Sequence, residues 1–162
     1  MKGVKLTKVK KTDLYANDDE LIKSALHCLE TRLKYSSKQT LNSSSHVKNY
    51  LQLNLASEKN EVFAVLFMDN HRRLLAFEKM FRGTINETAV YPRCIIQKAL
   101  EYNAARLIIA HNHPSGTVLP SEADIKLTKD LAGILTLIDI KLVDHLIITH
   151  QETYSFAEKG IL

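Results

Sequence analysis

The pattern of hydrophobic and polar positions divides the chain into segments typical of helices and segments typical of strands. Apolar residues recur at helical spacing in four segments, residues 17–35, 46–56, 92–100 and 121–137. Short apolar runs predict five strands, at residues 61–69, 73–81, 105–110, 140–149 and 154–156. Asp69-Asn70-His71 favours a turn, so the first two strands are predicted to form a hairpin. The sequence therefore predicts an α/β fold with a mixed sheet.

The first predicted helix stands apart from the rest of the chain. Asn17 is a candidate N-cap, with Glu20 three residues later. The apolar stripe that follows is formed by Leu21, Ile22, Ala25, Leu26, Leu29 and Leu33. Residues 36–45 are rich in Ser, Asn, Gln and Thr and are typical of a linker. We therefore predict a basic tail and helix over residues 1–39 and a main domain over residues 40–162.

The composition is that of an ordinary globular domain. Of the 162 residues, 45% are hydrophobic and 25% are charged, which is enough apolar material for one core. No run of about 18 apolar residues occurs, so no membrane-spanning helix is predicted, and the N-terminus does not resemble a secretory signal. Cys28 and Cys94 are too few for a disulfide framework, so a reducing, cytoplasmic compartment is expected.

The net charge of +4 comes from one end of the chain. The first 12 residues contain five lysines and no acid, which leaves 17 basic and 18 acidic side chains in the other 150 residues. A lysine tail adds weak, salt-sensitive affinity for nucleic acid, so DNA is a candidate partner of this tail. A solvated, disordered end is the alternative interpretation.

The candidate chemistry is concentrated in residues 111–116, HNHPSG, directly after a predicted strand. Residues i and i+2 of an extended chain point to the same side, so His111 and His113 are expected to direct two ring nitrogens at one point. Asp124 lies in the first turn of the next predicted helix and can face the same point. Two imidazoles and one carboxylate suit Zn²⁺ with a fourth position left for water, and such a water is a nucleophile near neutral pH.

Each part of this constellation also has a purely structural interpretation. A histidine beside a loop is often only a hydrogen-bonded polar group, and Ser121 with Asp124 forms the pattern of a capping box. The letters HNH match the name of a nuclease class, but those nucleases spread their ligands over a ββα unit. The HExxH pattern of zincins and the PCxxC half of the zinc deaminases are absent from the sequence.

The spacing and its surroundings resemble one known family. His-x-His followed by ten residues and Asp, with Ser three residues before that Asp, resembles the JAMM (MPN-plus) zinc metalloprotease motif. HNHPSGTVLPSEAD resembles its RadC-like branch, and GTIN at Gly83, YPR at Tyr91, the Asp144-His145 pair and the closing YSFAEKGIL extend the resemblance over residues 40–162. It implies a JAMM/MPN-like (cytidine-deaminase-like) α/β fold, in which helices flank a mixed sheet and a short N-terminal helical extension precedes it.

The resemblance also assigns roles to individual residues. It implies three zinc ligands, His111, His113 and Asp124. Ser121 matches the motif serine that orients the bound water or stabilises the tetrahedral intermediate. Glu61 is the best match to the family's glutamate base, with Glu58 and Glu78 as alternatives. The implied function is zinc-dependent hydrolysis of a peptide or isopeptide bond, and the RadC name adds an association with DNA repair that no residue here demonstrates.

Two features need separate interpretation. RadC-like proteins usually have His-Pro-Arg-Glu where this chain has Tyr91-Pro92-Arg93-Cys94, so activity depends on what the replaced acid does. Cys94 is interpreted as a helix residue, with a fourth zinc ligand as the alternative. The Asp144-His145 pair is consistent either with a carboxylate that hydrogen-bonds a ligand histidine or with a surface pair at a strand end.

Two other functions are compatible with the sequence. The lysine tail favours a DNA-associated accessory protein with little hydrolytic activity. An interaction module with a structural zinc is the other alternative, although structural zinc usually has four protein ligands and only three are predicted here.

Overall fold

A five-stranded mixed β-sheet with helices on both faces organises the chain. The computed structural model describes residues 11–35, 44–83 and 89–162, with side chains from residue 18 onward. Within these ranges nine elements follow one another: α1 (Lys11–Tyr35), α2 (Ser44–Leu55), β1 (Val62–Met68), β2 (Leu74–Arg82), α3 (Pro92–Glu101), β3 (Arg106–Asn112), α4 (Glu122–Thr136), β4 (Lys141–Ile148) and β5 (Thr153–Ser155). The strand order is β2-β1-β3-β4-β5; β3 and β4 are parallel, and the other neighbours are antiparallel. The predicted α/β class with a mixed sheet is confirmed.

The sheet separates two apolar clusters because successive side chains of a strand point to opposite faces. Ala64 and Leu66 of β1 pack on one face with α2 and the end of α1. Phe63 and Val65 pack on the other face with α3 and α4. All seven residues of β1 are buried, as expected for a strand that is covered on both sides. The molecule therefore has three layers, with the sheet between two layers of helices.

The first helix differs from its prediction at its beginning and along its apolar stripe. α1 begins at Lys11, so Asn17 lies inside the helix and the predicted N-cap is wrong. No glycine or proline between Lys11 and Asn17 interrupts the helix. Leu21 is 70% exposed, whereas Leu33, near the other end of α1, is 1% exposed and belongs to the core. Only the later part of the stripe therefore contributes to packing.

Parts of three sequence features lie outside the described residues. Residues 1–10 carry four of the five tail lysines, so the contact with DNA stays a prediction. The predicted linker is described only from Ser44, and the GTIN segment only at Gly83. None of the helices in the described ranges combines the length and the apolar character needed to cross a bilayer.

The topology brings the carboxyl end of β3 to the beginning of α4. β3, α4 and β4 form a crossover unit between two parallel strands, so the chain must turn back immediately after β3. The His113 N–H donates to the Ile148 carbonyl over 2.9 Å, which holds the end of β3 beside the end of β4. Gly116 then adopts a φ of 84°, a left-handed conformation in which glycine has no steric penalty. The turn places Ser121 and α4 close to the two histidines.

The Asn112 side chain connects β3 to the segment before β1. It is 2% exposed, and its Oδ1 accepts a hydrogen bond of 2.7 Å from the Val62 N–H. Its Nδ2 donates to the Glu58 and Asn60 carbonyls over 3.2 and 3.0 Å. These three bonds hold residues 58–62, and therefore Glu61, against the end of β3.

Asn112→Ala is expected to lower the free energy of unfolding by about 2–3 kcal/mol, because it leaves a buried N–H and two carbonyls without their partner. Urea denaturation measures this change. Asn54→Ala is the matched control, since the Asn54 amide donates to the Tyr50 carbonyl over 2.9 Å within α2 and anchors no other segment, and its loss should cost about 1 kcal/mol or less. Equal effects of the two substitutions would contradict the anchoring role of Asn112.

Candidate metal centre

Two histidines and one aspartate converge where β3 meets α4. One nitrogen of His111, one nitrogen of His113 and one oxygen of Asp124 all lie within 4.8 Å of one another. The two Nε2 atoms are 2.9 Å apart, and Asp124 Oδ1 is 3.3 Å from the Nε2 of His111. These are the three predicted ligands, and the structure brings them together as the i, i+2 spacing and the position of Asp124 required.

His113 has a tautomer that suits a metal ligand. Its Nδ1 lies 2.6 Å from the Thr117 carbonyl oxygen, and a carbonyl can only accept a hydrogen bond. Nδ1 therefore carries a proton, which leaves Nε2 as the nitrogen available to a metal, and Nε2 faces His111 and Asp124. Metal-bound histidines are commonly oriented by such a bond from their other nitrogen.

His111 is buried, and its surroundings favour the neutral imidazole. The side chain is 1% exposed and stacks on Phe63 with an interplanar angle of 11°. Burial lowers the pKa of His111 to about 4, although the nearby Asp124 carboxylate acts in the opposite direction. The ring is therefore uncharged near neutral pH, which is the state that a metal ligand needs.

Asp124 is held in place by Ser121, the N-cap of α4. Asp124 Oδ2 accepts hydrogen bonds from the Ser121 N–H over 2.8 Å and from the Ser121 hydroxyl over 2.6 Å. The Ser121 Oγ in turn accepts from the Asp124 N–H over 3.1 Å, so the capping box is present. These bonds occupy Oδ2 and leave Oδ1 facing His111. The structural and functional interpretations of these residues are compatible, because the cap fixes the carboxylate that completes the cluster.

Glu61 lies beside this cluster. Glu61 lines one cavity together with His111 and Asp124. The position follows from the antiparallel register, in which Phe63 pairs with His111, so Glu61, two residues before Phe63, belongs to the same face and the same end of the sheet. The Gly83 N–H donates to the Glu61 carbonyl over 2.9 Å, which fixes the backbone at this point.

The two alternative glutamates have other partners. Glu58 forms ion pairs with Lys79 at 2.7 Å and with Arg82 at 3.3 Å, and these interactions lower its pKa. Glu78 accepts a hydrogen bond from the Tyr102 hydroxyl. Neither side chain lines the cavity that contains His111. Of the three candidates for the base, Glu61 is therefore the one that the fold brings to the metal cluster.

Asp144 and His145 point to opposite faces of the sheet. Both predictions for the pair, a carboxylate bonded to a ligand histidine and a surface pair at a strand end, are wrong. Asp144 accepts hydrogen bonds from Ser155 over 2.6 Å and from the Ala157 N–H over 3.0 Å, on the α2 side of the sheet, where burial raises its pKa. It therefore does not orient a ligand histidine. His145 is fully buried rather than at the surface, and its Nε2 lies 2.9 Å from the Nδ1 of His111. The predicted ligand His111 is thus contacted by His145 and not by the Asp144 carboxylate.

Cys94 lies in a helix, as the sequence predicts. It is the third residue of α3, and its N–H donates to the carbonyl of Tyr91 over 3.0 Å. An acid at this position would interact favourably with the N-terminus of α3. Among the described residues, the group that could hold a metal contains His111, His113 and Asp124 and does not include Cys94.

The donor set fits a zinc ion. Two neutral imidazole nitrogens and one carboxylate oxygen are ligands that Zn²⁺ accepts, and three protein ligands are typical of sites that keep one position for water or substrate. The two Nε2 atoms are 2.9 Å apart, a separation at which both nitrogens can contact one cation.

Comparison with known proteins places this site in a family. The model of the RadC-like JAB domain matches residues 41–161. The UPF0758 protein of Methylibium petroleiphilum is 54% identical over 116 residues, which cover 72% of this chain and 52% of that protein. The UPF0758 protein of Ralstonia nicotianae is 45% identical over 146 residues, covering 90% of this chain and 64% of the relative.

A shorter relative matches over almost its whole length. The UPF0758 protein YkfG of Escherichia coli is 43% identical over 150 residues, which cover 93% of this chain and 94% of YkfG. The chain spans about half the length of several other curated relatives that it matches. The matched segment includes β3 and α4, which position the three residues of the cluster. The chain therefore belongs to the family of proteins with a RadC-like JAB domain.

Proposed function

We propose that this chain is a zinc-dependent hydrolase that cleaves an amide bond of a peptide or isopeptide substrate. The observation that carries the proposal is the convergence of His111, His113 and Asp124 beside a cavity that is also lined by Glu61. Membership of the JAB-domain family supports the proposal, because the resemblance implies hydrolytic chemistry for this motif.

In this proposal, His111, His113 and Asp124 hold the metal. Zn²⁺ held by these three residues would supply a Lewis acid that polarises a carbonyl and activates a water molecule. The ligands keep a fixed geometry because they come from the end of β3 and the first turn of α4.

Glu61 is the proposed general base. Its carboxylate takes a proton from the attacking water and then gives it to the leaving amine. Glu61 thus acts first as the general base and then as the general acid. Ser121 keeps Asp124 oriented through two hydrogen bonds, while a direct role of its hydroxyl in stabilising the oxyanion stays a prediction.

The proposal is tested by incubating the zinc-loaded protein with a library of peptides and isopeptide-linked lysines and detecting new amines. We expect cleavage of at least one class of substrate, lost after chelation and recovered after zinc is returned. Cleavage that survives complete removal of the metal, or a metal-loaded protein that cleaves neither class, would contradict the proposal.

A further inference from the structure

A chain of buried polar side chains runs from α4 through β4 to the metal cluster. The Thr128 Oγ1 lies 2.6 Å from the Nδ1 of His145, and the Nε2 of His145 lies 2.9 Å from the Nδ1 of His111. None of the three side chains is more than 1% exposed. His145 therefore places a polar ring inside the core, where these two contacts satisfy both of its nitrogens.

The hydrogen bonds of this chain have a definite direction. Thr128 Oγ1 donates its one proton to the Asp124 carbonyl over 2.6 Å, so toward His145 it can only accept. The neutral His145 must therefore carry its proton on Nδ1, and its Nε2 accepts from the Nδ1–H of His111. His111 is left with an unprotonated Nε2, the nitrogen that faces His113 and Asp124.

We propose that His145 and Thr128 are positioning residues that hold His111 in the tautomer that binds the metal. This role rests on the metal site of the proposed function and adds to it two residues that do not touch the metal. It is the same role that a carboxylate or backbone carbonyl often has behind a metal-bound histidine, carried out here by a histidine and a hydroxyl.

The packing around His145 supports a fixed ring rather than a mobile one. Phe156 stacks on it at 4.6 Å between ring centroids, and Phe63 contacts it edge-on at 6.0 Å. Both ring nitrogens are paired within the protein, so the ring cannot turn over without breaking two buried hydrogen bonds. At its other end, this series of hydrogen bonds reaches the backbone carbonyl of Asp124 through the Thr128 hydroxyl. It therefore connects two of the three proposed ligands, His111 and Asp124.

Thr128→Val tests the role, because valine has nearly the same shape without the hydroxyl. The variant leaves the Nδ1–H of His145 without an acceptor and favours its proton on Nε2, which forces the His111 proton onto the ligating nitrogen. We expect the affinity for zinc alone, measured by competition with a chromophoric chelator, to fall by roughly ten- to a hundred-fold.

Two controls separate this role from a loss of stability. Thr128→Ser keeps the hydroxyl and should bind zinc with wild-type affinity. Thr136→Val removes the same kind of bond on the same helix, from Thr136 to the Ala132 carbonyl over 2.8 Å, and it should also leave affinity unchanged. Equal zinc affinity of Thr128→Val and wild type would overturn the positioning role and leave the metal site intact. A wild-type protein that binds no zinc would refute the metal site itself.

The tautomers can be read directly in the wild-type protein. Nitrogen-15 NMR of the zinc-loaded chain should show the proton on Nδ1 in both His111 and His145. A spectrum with the His145 proton on Nε2 would overturn the proposal, and this result does not depend on whether any variant folds.

Discussion

His113→Ala is expected to lower the zinc affinity of the protein by about a hundredfold or more. Apparent binding free energies of roughly 10–16 kcal/mol are shared among four ligands in structural zinc sites, so one ligand contributes about 3 kcal/mol. His113 is one of the three residues of the proposed zinc site, and among the described residues that cluster contains no further side chain that could replace it as a ligand. Chelator competition with zinc alone measures the change.

His150→Ala is the matched control for this prediction. His150 is an exposed histidine just after β4 and is not part of the cluster, so its replacement should leave zinc affinity unchanged. Zinc binding by His113→Ala that matches wild type would show that zinc binds elsewhere on the chain. Loss of zinc in both variants would point instead to non-specific binding by histidines.

Glu61→Gln is expected to keep zinc affinity and to lower turnover by about 10²–10⁴-fold. The substitution preserves the size of the side chain but removes the group that takes up a proton, and a positioned general base contributes a factor of this size. Glu61 lines the cavity next to the metal cluster without belonging to it, so binding of the metal and catalysis should separate in this variant. Zinc content and hydrolysis of a substrate from the library screen are measured on the same sample.

Glu58→Gln serves as the comparison, because Glu58 is the alternative base but is engaged by Lys79 and Arg82. It should retain turnover close to wild type. If Glu61→Gln keeps full turnover while Glu58→Gln loses it, the assignment of the base is wrong. A Glu61→Gln protein that loses zinc would instead make Glu61 part of the metal site.

The sequence was sufficient to predict the part of the site that depends on local spacing. His111 and His113 are two residues apart on an extended chain, and Asp124 lies in the first helical turn after a loop, so their convergence needs only β3, a turn and α4. The resemblance to the JAMM motif then implied that these three residues are zinc ligands. The resemblance also indicated Glu61 as the base, but its position beside the cluster depends on the antiparallel pairing of β1 with β3, which spacing alone does not give.

Residues that act through long-range contacts were not recognised from the sequence. The role of Asn112 could not be predicted from the sequence, because its partners at residues 58–62 are about 50 positions away in the chain. His145 was noted together with Asp144, but its contact with His111 depends on which face of β4 it occupies. A signal was present for His145, which is a polar residue inside a mainly apolar strand, where burial requires a hydrogen-bond partner. Asn112 gives no such signal, because it follows the apolar run 105–110 and lies between two histidines.

For the N-terminal helix, the local pattern predicts more packing than the structure has. Its apolar stripe predicts a packed face, yet Leu21 and Ile22 are 70% and 42% exposed. Helical periodicity states which residues share a face, but the length over which that face meets the core depends on the position of α2 and the sheet.

X-ray absorption spectroscopy at the zinc edge of the stoichiometrically loaded protein tests the metal centre most directly. The structure predicts scattering from two imidazole rings and from oxygen ligands at about 2.0–2.2 Å, of which one comes from Asp124 and one exchanges with solvent. A spectrum with sulfur in the coordination shell, with fewer than two imidazoles, or with four protein ligands and no exchangeable position would contradict it.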